Sequence, residues 1–360
     1  KTLAIVLAVL LVLLPVCVCA QGQERPRLMI SPADVALIRE SQATPEMFEA
    51  ALREARAGVM PHLSGLPDIP VPADAGGGYT HEQHKRNSRL ILNAGMLYQV
   101  NGGQEYADLA RDILLAYAEL YPALGEHPKK KEQTPGRLFW QSLNEAVWLV
   151  TAIQGYDAIY DILSADERRR IEQGLLHPLA RFLSEGQPQT FDKIHNHGTW
   201  AVAAVGMTGY VLDEPAYVEQ SLFGLEQDAS AGFMRQLDEL FSPDGYYSEG
   251  PYYQRYALMP FELFAQAIER NEPQRSIFEY RDGMLQKDID TTIQLSYNGL
   301  FFPMNDAIKD KGIDTLELVY GVAIAFGLNG DDRLLSIAQA QGRTVLTVDG
   351  FRLALAIEKG

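Results

Sequence analysis

Two separated segments of the chain carry side chains suited to moving a proton at a carbon atom. They are residues 195–200, with the sequence HNHGTW, and residues 244–256, with the sequence DGYYSEGPYYQRY. Together they supply an amide, two imidazoles, several phenols and an arginine. A packed core does not require this mixture, because buried polar groups cost free energy unless each finds a partner. Removal of a proton from a carbon beside a carboxylate does require such groups, since negative charge develops there.

The first segment precedes a helix that we predict over residues 199–212. The free N–H groups and the positive dipole of a helix start favour an anion. Asn196 and His197 could therefore hold a carboxylate and polarise it. The alternative is a structural helix cap, for which asparagine is a common residue, with the histidines packed in a loop. The clustering of Trp200 and two histidines weakens this alternative without removing it.

The second segment concentrates five tyrosines and Arg255 around two predicted turns, at Asp244-Gly245 and Gly250-Pro251. A phenol with a pKa near ~10 is a poor base unless a nearby cation lowers that pKa. Arg255 and the histidines could supply this charge. A phenol can also donate its proton to a leaving oxygen. For most of these tyrosines we favour a binding role, in which the rings line a groove and stack on sugars.

A further polar face opens another predicted helix. Gln141, Asn144 and Glu145 share one side of this helix through their i, i+3 and i+4 spacing, and a lysine run at residues 129–131 precedes them. Lysine runs are usually solvated surface. This run leads into a polar helix face, so Lys131 is a candidate for binding an anionic substrate.

Two other polar pairs have structural interpretations. His81 and His84 have metal-ligand spacing but no third ligand near them in sequence, so we do not predict a metal site there. Asn305 and Asp306 follow an apolar stretch and predict a turn. The chain also lacks a glycine-rich phosphate loop and a nucleophile elbow.

The start of the chain predicts a secretory signal peptide over residues 1–20. An apolar run follows Lys1, and the small residues Val18 and Ala20 precede a plausible cleavage point. Cys17 and Cys19 are the two cysteines of the sequence, so the mature chain would have no disulfide and no thiol nucleophile. We expect an exported protein, periplasmic or secreted, without a membrane span after signal removal.

The net charge of −16 argues against nucleic acid and anionic membranes as partners. An anionic substrate is still compatible with this charge, because a few cations in a cleft can override the overall field. With 360 residues, 47% of them hydrophobic, the chain can bury a sizeable core.

The mature chain is predicted as a succession of helices. Cap signals stand at Ser31-Pro32 and Thr44-Pro45, and Ser164 begins a capping box. Helical spacing predicts helices over residues 82–100, 104–121, 138–160, 168–183, 199–212, 215–241, 260–270, 276–296, 314–326 and 331–342. Residues 344–348 are the best strand candidate, and the loop at residues 65–79 is long enough to be functional. The fold class is all-α, as a bundle, a solenoid or an α/α toroid.

Three stretches together resemble polysaccharide lyase family 17, the oligoalginate lyases: residues 140–145 (WQSLNE), 195–200 and 248–256. The similarity runs from about Arg27 to the end of the chain, and the third stretch is long and fairly specific. The resemblance implies an α/α toroid, an incomplete barrel of helical hairpins, followed by an antiparallel β-sheet domain as in heparinase II/III-like proteins. It also implies exolytic release of an unsaturated monosaccharide from alginate oligomers by β-elimination.

The resemblance assigns roles by motif. Asn196 and His197 would neutralise the substrate carboxylate, and Tyr253 would protonate the leaving oxygen. The positions that would bind sugar are Lys131, Gln141, Asn144, Tyr252, Arg255 and Tyr256. We expect residues 21–360 to be the toroid domain of a longer protein, with no cofactor of its own. The β-sheet domain of the family brings a second tyrosine, a further histidine and arginine, and a metal site.

The partner implied is an anionic oligosaccharide, alginate, and a homodimer is left open. Three other functions compete with this interpretation. One is a lyase for another uronate, such as a glycosaminoglycan. Another is a glycoside hydrolase that uses Glu145 and Glu249 as paired acids. The last is a glycan-binding fragment without catalysis.

Overall fold

A computed structural model describes residues 24–305, 307 and 309–360 of the chain. The predicted signal peptide and Asp306 lie outside these residues. The described helices have the following bounds: α1 Pro32–Arg39, α2 Glu46–Val59, α3 Tyr79–Asn101, α4 Gln104–Leu120, α5 Ser142–Ile159, α6 Ala165–Ile171, α7 His177–Leu183, α8 Pro188–Phe191, α9 Asn196–Leu212, α10 Pro215–Phe223, α11 Gly232–Glu239, α12 Pro251–Asn271, α13 Tyr280–Gln294, α14 Leu316–Asn329, α15 Arg333–Gln341 and α16 Val348–Lys359. A short antiparallel hairpin joins β1 (Ser296–Tyr297) to β2 (Leu300–Phe301), with Ser296 opposite Phe301.

Helices α3 and α5 lie side by side and run in the same direction. Near their starts, the Trp148 indole N–H of α5 donates a 3.1 Å hydrogen bond to the His84 carbonyl of α3. Near their ends, Gly95 and Gly155 let the two backbones touch, because a Cβ on Gly95 would lie 2.9 Å from the Gly155 carbonyl oxygen. The two helices therefore begin at the same end of the molecule.

The ends of α5 and α9 meet at Arg27, which precedes α1. Its backbone N–H donates a 2.7 Å hydrogen bond to Asp157 in the last turn of α5. Its guanidinium donates to the Tyr210 carbonyl in the last turn of α9 and pairs with Asp213. Helices α5 and α9 thus also end together, and their starts lie at the opposite end.

Helices α9 and α12 are parallel as well. Trp200 near the start of α9 lies 5.4 Å from Tyr256 near the start of α12, measured between ring centroids. Further along both helices, Gly206 of α9 packs directly on the Phe264 ring of α12. Helix α14 continues the series, because its early residues Glu317 and Gly321 contact α12.

The parallel helices form the inside of a ring. In order around it, α3, α5, α9, α12 and α14 pack against one another, and α16 and α2 close the ring between α14 and α3. Each of four inner helices is followed in the chain by a shorter helix that packs against it: α4 on α3, α10 on α9, α13 on α12 and α15 on α14. This arrangement of helical hairpins is an α/α toroid, as the resemblance to polysaccharide lyase family 17 implies.

Several local predictions are confirmed and others are wrong. The capping boxes at Ser31 and Ser164 form, but Pro45 is the cap of α2 rather than its first residue. The predicted helix over residues 215–241 is split into α10 and α11 by a loop, because Gly224 and Gly232 take positive φ angles of 88° and 83°. Residues 344–348 do not form a strand, since Thr347 instead caps α16.

The long helix α12 begins at Pro251, earlier than the predicted start at residue 260. Gly250 has a φ of 89° and turns the chain, and proline is favoured at the first helical position that follows. Pro260 then lies inside the helix rather than at its beginning. This earlier start puts Tyr252 and Tyr253 in the first turn of α12. None of the described helices has the length and apolar character needed to span a membrane.

Two carboxyl groups are buried between α12 and α13. Glu262 and Asp288 are completely buried, and neither Glu262 oxygen has a hydrogen-bond partner among the described residues. Burial raises the pKa of both groups well above the usual range, and the neighbouring Asp288 raises that of Glu262 further. An acid with a raised folded-state pKa contributes stability below its unfolded pKa, near ~4.3 for Glu. That contribution is lost as the pH rises through the folded-state pKa.

Replacing Glu262 by Met should therefore raise the free energy of unfolding at pH 8 by about 1–3 kcal/mol, the usual cost of a buried unsatisfied polar group. The gain should shrink towards pH 4.5, close to the unfolded pKa of ~4.3, because ionisation of Glu262 in the unfolded state then favours unfolding much less. Urea denaturation at the two pH values measures this difference, with exposed Glu40→Met as the matched control. A variant that is less stable than the wild type at pH 8 contradicts the prediction.

Candidate active site

The predicted site residues lie at the starts of neighbouring parallel helices. Gln141 is the cap of α5, Asn196 is the first residue of α9, and Tyr252 and Tyr253 follow Pro251 in the first turn of α12. Because these helices begin at the same end of the toroid, their first turns form one polar surface. The free N–H groups of several helix starts also make this end favourable for an anion.

A direct contact joins the two segments that the sequence singles out. The side-chain N–H of Asn196 donates a 3.0 Å hydrogen bond to a carboxylate oxygen of Glu249, two residues before α12. Asn196 is 4% exposed, whereas Glu249 is about one-third exposed, at 31% of its side chain. Asn196 is thus held firmly at the edge of the open surface.

The cap of α9 is His195. The alternative in which Asn196 serves as the helix cap is therefore wrong. The backbone N–H of His197 donates a 3.3 Å hydrogen bond to His195 Nδ1. The Nε2 atom of the same ring lies 3.5 Å from Glu249. Since Nδ1 accepts a hydrogen bond, the neutral ring carries its proton on Nε2, facing the carboxylate.

His197 lies beside His195, with 5.1 Å between the ring centroids. Burial, followed by the charges of His195, Lys193 and Lys131, lowers the pKa of His197 to about 4. The imidazole is therefore neutral near pH 7. A substrate carboxylate placed against it would favour the charged form, because an opposite charge raises the pKa of an imidazole.

Lys131 lies on a loop that is held against α5. Its backbone N–H donates a 2.7 Å hydrogen bond to the Trp140 carbonyl, and its Nζ lies 5.9 Å from the centre of the Trp140 ring. Gly76 of the long loop before α3 packs against the same indole, because a Cβ on Gly76 would lie 3.5 Å from the indole Nε1. The loop at residues 65–79 thus borders the candidate site.

Glu145 holds the end of the loop that carries Lys131, just before α5 begins. It is completely buried and accepts hydrogen bonds from the backbone N–H groups of Arg137, Leu138 and Phe139. Burial raises the pKa of Glu145 to about 7. A carboxyl group in this position cannot reach a glycosidic bond, so the hydrolase interpretation loses one of its two acids.

The tyrosine-rich first turn of α12 divides into two groups. Tyr252 and Tyr253 meet edge to face, with ring centroids 5.1 Å apart, and both are half-buried. Tyr256 faces inward against Trp200 of α9, and burial followed by the Glu317 charge raises its pKa. Tyr256 therefore stays protonated, and its role is to pack against Trp200 rather than to present its hydroxyl group to a substrate.

Arg255 is drawn towards α14. Its guanidinium pairs with Glu317, and the two side chains are 8% and 16% exposed. The Arg255 guanidinium also lies 4.6 Å from the centre of the Tyr252 ring. Arg255 thus supports the Tyr252 ring, and its guanidinium is held at Glu317 rather than at Asn196.

Sequence reasoning missed two neighbours of the site. Lys193 lies close enough to His195 and His197 to lower the pKa of both imidazoles. Tyr247 is buried, and burial followed by Glu249 raises its pKa. A lone exposed lysine and one of several tyrosines carry no distinguishing signal in sequence. A cavity of about 390 Å³ between α2, α3 and residues 343–347 includes none of the predicted site residues.

The sequence is similar to proteins whose activity is named. A family model described as alginate lyase matches residues 52–299. An exo-oligoalginate lyase of Saccharophagus degradans is 58% identical over 354 residues, which cover 98% of this chain and 48% of that protein. An alginate lyase of Stenotrophomonas maltophilia is 61% identical over 290 residues, covering 81% of this chain and 39% of that protein. The chain thus spans about half or less of the length of these curated relatives.

Solved structures show the same fold at low sequence identity. An alginate lyase from Bacteroides ovatus aligns with a TM-score of 0.62 at 11% identity, covering 92% of this chain and 99% of that one. A heparinase III aligns with a TM-score of 0.50 at 13% identity, covering 87% of this chain and 52% of that one. These likenesses support the toroid architecture. The family match and the identity to curated relatives show that the chain belongs to the alginate lyase family.

Proposed function

We propose that the full-length protein cleaves alginate oligosaccharides by β-elimination and releases an unsaturated uronate from the chain end. The observation that carries this proposal is the meeting of Asn196, His197 and the first turn of α12 at one end of the toroid. The names of the curated relatives support alginate as the substrate and exolytic action as the mode.

In this reaction a base takes the C5 proton, the C4–O bond breaks, and a C4=C5 double bond forms. The C5 proton is only weakly acidic until the neighbouring carboxylate is stabilised. Asn196 donates a hydrogen bond to that carboxylate. His197 does the same, either as a neutral imidazole or in the charged form that the substrate carboxylate favours. Donors that are already in place stabilise developing charge without reorganisation in the transition state.

Tyr253 supplies the proton that the departing C4 oxygen needs. A protonated phenol is a suitable general acid for an oxygen leaving group. Lys131, Gln141, Asn144 and Tyr252 then bind the sugars on either side, by charge, hydrogen bonds and stacking.

Other parts of the sequence interpretation stay predictions. These are the signal peptide over residues 1–20 with export to the periplasm or medium, a metal site in a β-sheet domain outside this chain, and a homodimer. A glycosaminoglycan lyase shares the same carboxylate chemistry and is the second candidate. The heparinase III likeness is a likeness of fold alone, so it does not favour that substrate.

The proposal is tested with purified full-length protein on alginate oligomers and, separately, on heparan sulfate and hyaluronan oligomers. Ultraviolet absorbance reports the conjugated double bond that elimination leaves and hydrolysis does not. We expect absorbance to rise on alginate only. A rise confined to the glycosaminoglycans, or cleavage without the double bond, contradicts the proposal.

A further inference from the structure

The Glu249 carboxylate lies among three polar groups of the site, yet the elimination steps do not use it. One oxygen accepts the 3.0 Å hydrogen bond from Asn196 Nδ2, and the other lies 3.5 Å from His195 Nε2. The buried Tyr247 ring is the third neighbour. We propose that Glu249 is a positioning residue that fixes the Asn196 amide and the His195 ring for binding of the substrate carboxylate. The inference rests on the proposed function.

The first part of the argument concerns the Asn196 amide. An ionised carboxylate only accepts hydrogen bonds, so Glu249 selects the amide orientation with the nitrogen towards it. The opposite orientation would place the amide oxygen against a carboxylate oxygen. Nδ2 carries two N–H groups, and one of them donates to Glu249. This hydrogen bond also fixes the direction of the second N–H, because both lie in the plane of the amide. That second N–H is the donor that the reaction needs.

The second part concerns His195. Its Nδ1 accepts the hydrogen bond from the backbone N–H of His197, so its Nε2 carries the ring proton. The Glu249 carboxylate, 3.5 Å from Nε2, stabilises this tautomer through its negative charge. The fixed His195 ring in turn lies against His197, at 5.1 Å between centroids. Glu249 therefore acts on both groups that hold the substrate carboxylate, one directly and one through His195.

The alternative is that Glu249 only ties α9 to the segment before α12. A simple tie would affect folding and leave the His195 tautomer and the balance of kcat against KM unchanged. Glu249 is not needed as a cap of α12, because Gly250 holds the cap position and no side chain hydrogen-bonds to that helix start. The tautomer and the kinetics thus separate the two roles.

The test replaces Glu249 by Gln in the full-length protein. A glutamine keeps the shape of the side chain and one acceptor oxygen for Asn196, but it removes the negative charge that faces His195 Nε2. We expect kcat on oligoalginate to fall by about 10- to 100-fold, the range for losing a partner that orients an active group. The exposed Glu226→Gln removes the same charge elsewhere and should keep wild-type kinetics.

Nitrogen NMR of the imidazoles gives a readout that does not need activity. In the wild type we expect His195 as the Nε2–H tautomer, and in Glu249→Gln a mixture of tautomers. A wild-type His195 with its proton on Nδ1 overturns the inference even if no variant folds. So does a Glu249→Gln enzyme with wild-type kcat, or one that loses stability and activity while the tautomer stays unchanged. A wild type inactive on every uronate overturns the proposed function instead and leaves the tautomer result to judge Glu249.

Discussion

Replacing Tyr253 by Phe in the full-length protein is expected to lower kcat on alginate oligomers by about 10²- to 10⁴-fold, the usual contribution of a general acid. The substitution removes only the hydroxyl group. The ring, its contact with Tyr252 at 5.1 Å and the first turn of α12 all remain. Substrate binding should therefore be nearly unchanged, because the lost proton transfer occurs only in the transition state.

The measurement pairs initial rates of ultraviolet absorbance with a direct binding assay on the same oligomers. Tyr106→Phe is the matched control, since Tyr106 is a half-buried tyrosine of α4 on the outside of the ring. Retained binding with lost turnover assigns a catalytic role to Tyr253. Turnover at the wild-type rate removes Tyr253 from the reaction, and equal losses in both variants point to a general effect of removing a hydroxyl.

The local chain geometry of the site explains why Tyr253 could be named from sequence. The segment at residues 248–256 is a continuous motif, and its residues stay together because they form one turn and one helix start. The position of Asn196 and His197 at the beginning of a helix was predictable for the same reason, because they are neighbours in sequence. Helix periodicity predicted most of the inner helices for a related reason, since 3.6-residue spacing is a local property.

The parts that sequence could not supply depend on contacts between distant residues. Glu249 bonds to Asn196 across 53 positions, and nothing local marks the two as partners. As a motif residue, Glu249 could equally have been a hydrolase acid. The structure decides against this, because Glu249 is engaged with Asn196 and His195 while Glu145 is buried.

Backbone turns caused the errors in helix bounds. Helical spacing continues across residues 215–241, but two glycines with positive φ break the helix between α10 and α11. The β-branched residues of 344–348 are typical of a strand, whereas Thr347 accepts a 3.2 Å hydrogen bond from the Gly350 N–H and caps α16. A side-chain cap of this kind outweighs a short strand pattern, since an isolated strand has no neighbour to pair with.

Replacing Asn196 by Ala is expected to lower kcat/KM by about 10²- to 10³-fold, the cost of removing one preorganised donor to developing charge. Replacement by Asp tests the reason for this loss, because the shape is kept while the donor becomes an acceptor. At pH 8 the new carboxylate would face both Glu249 and the substrate carboxylate, so Asn196→Asp should be at least as slow as Asn196→Ala.

The two substitutions should respond differently to acid. Carboxylates that share a site cannot both ionise easily, so one of the pair formed with Glu249 has a raised pKa. Lowering the pH then protonates this pair and restores a donor, and the activity of Asn196→Asp should recover relative to Asn196→Ala. The exposed Asn101→Asp at the end of α3 controls for added charge and should follow the wild-type pH profile. If Asn196→Ala keeps the wild-type kcat/KM, the prediction is wrong. The Asn196 amide then does not stabilise the substrate carboxylate during the elimination.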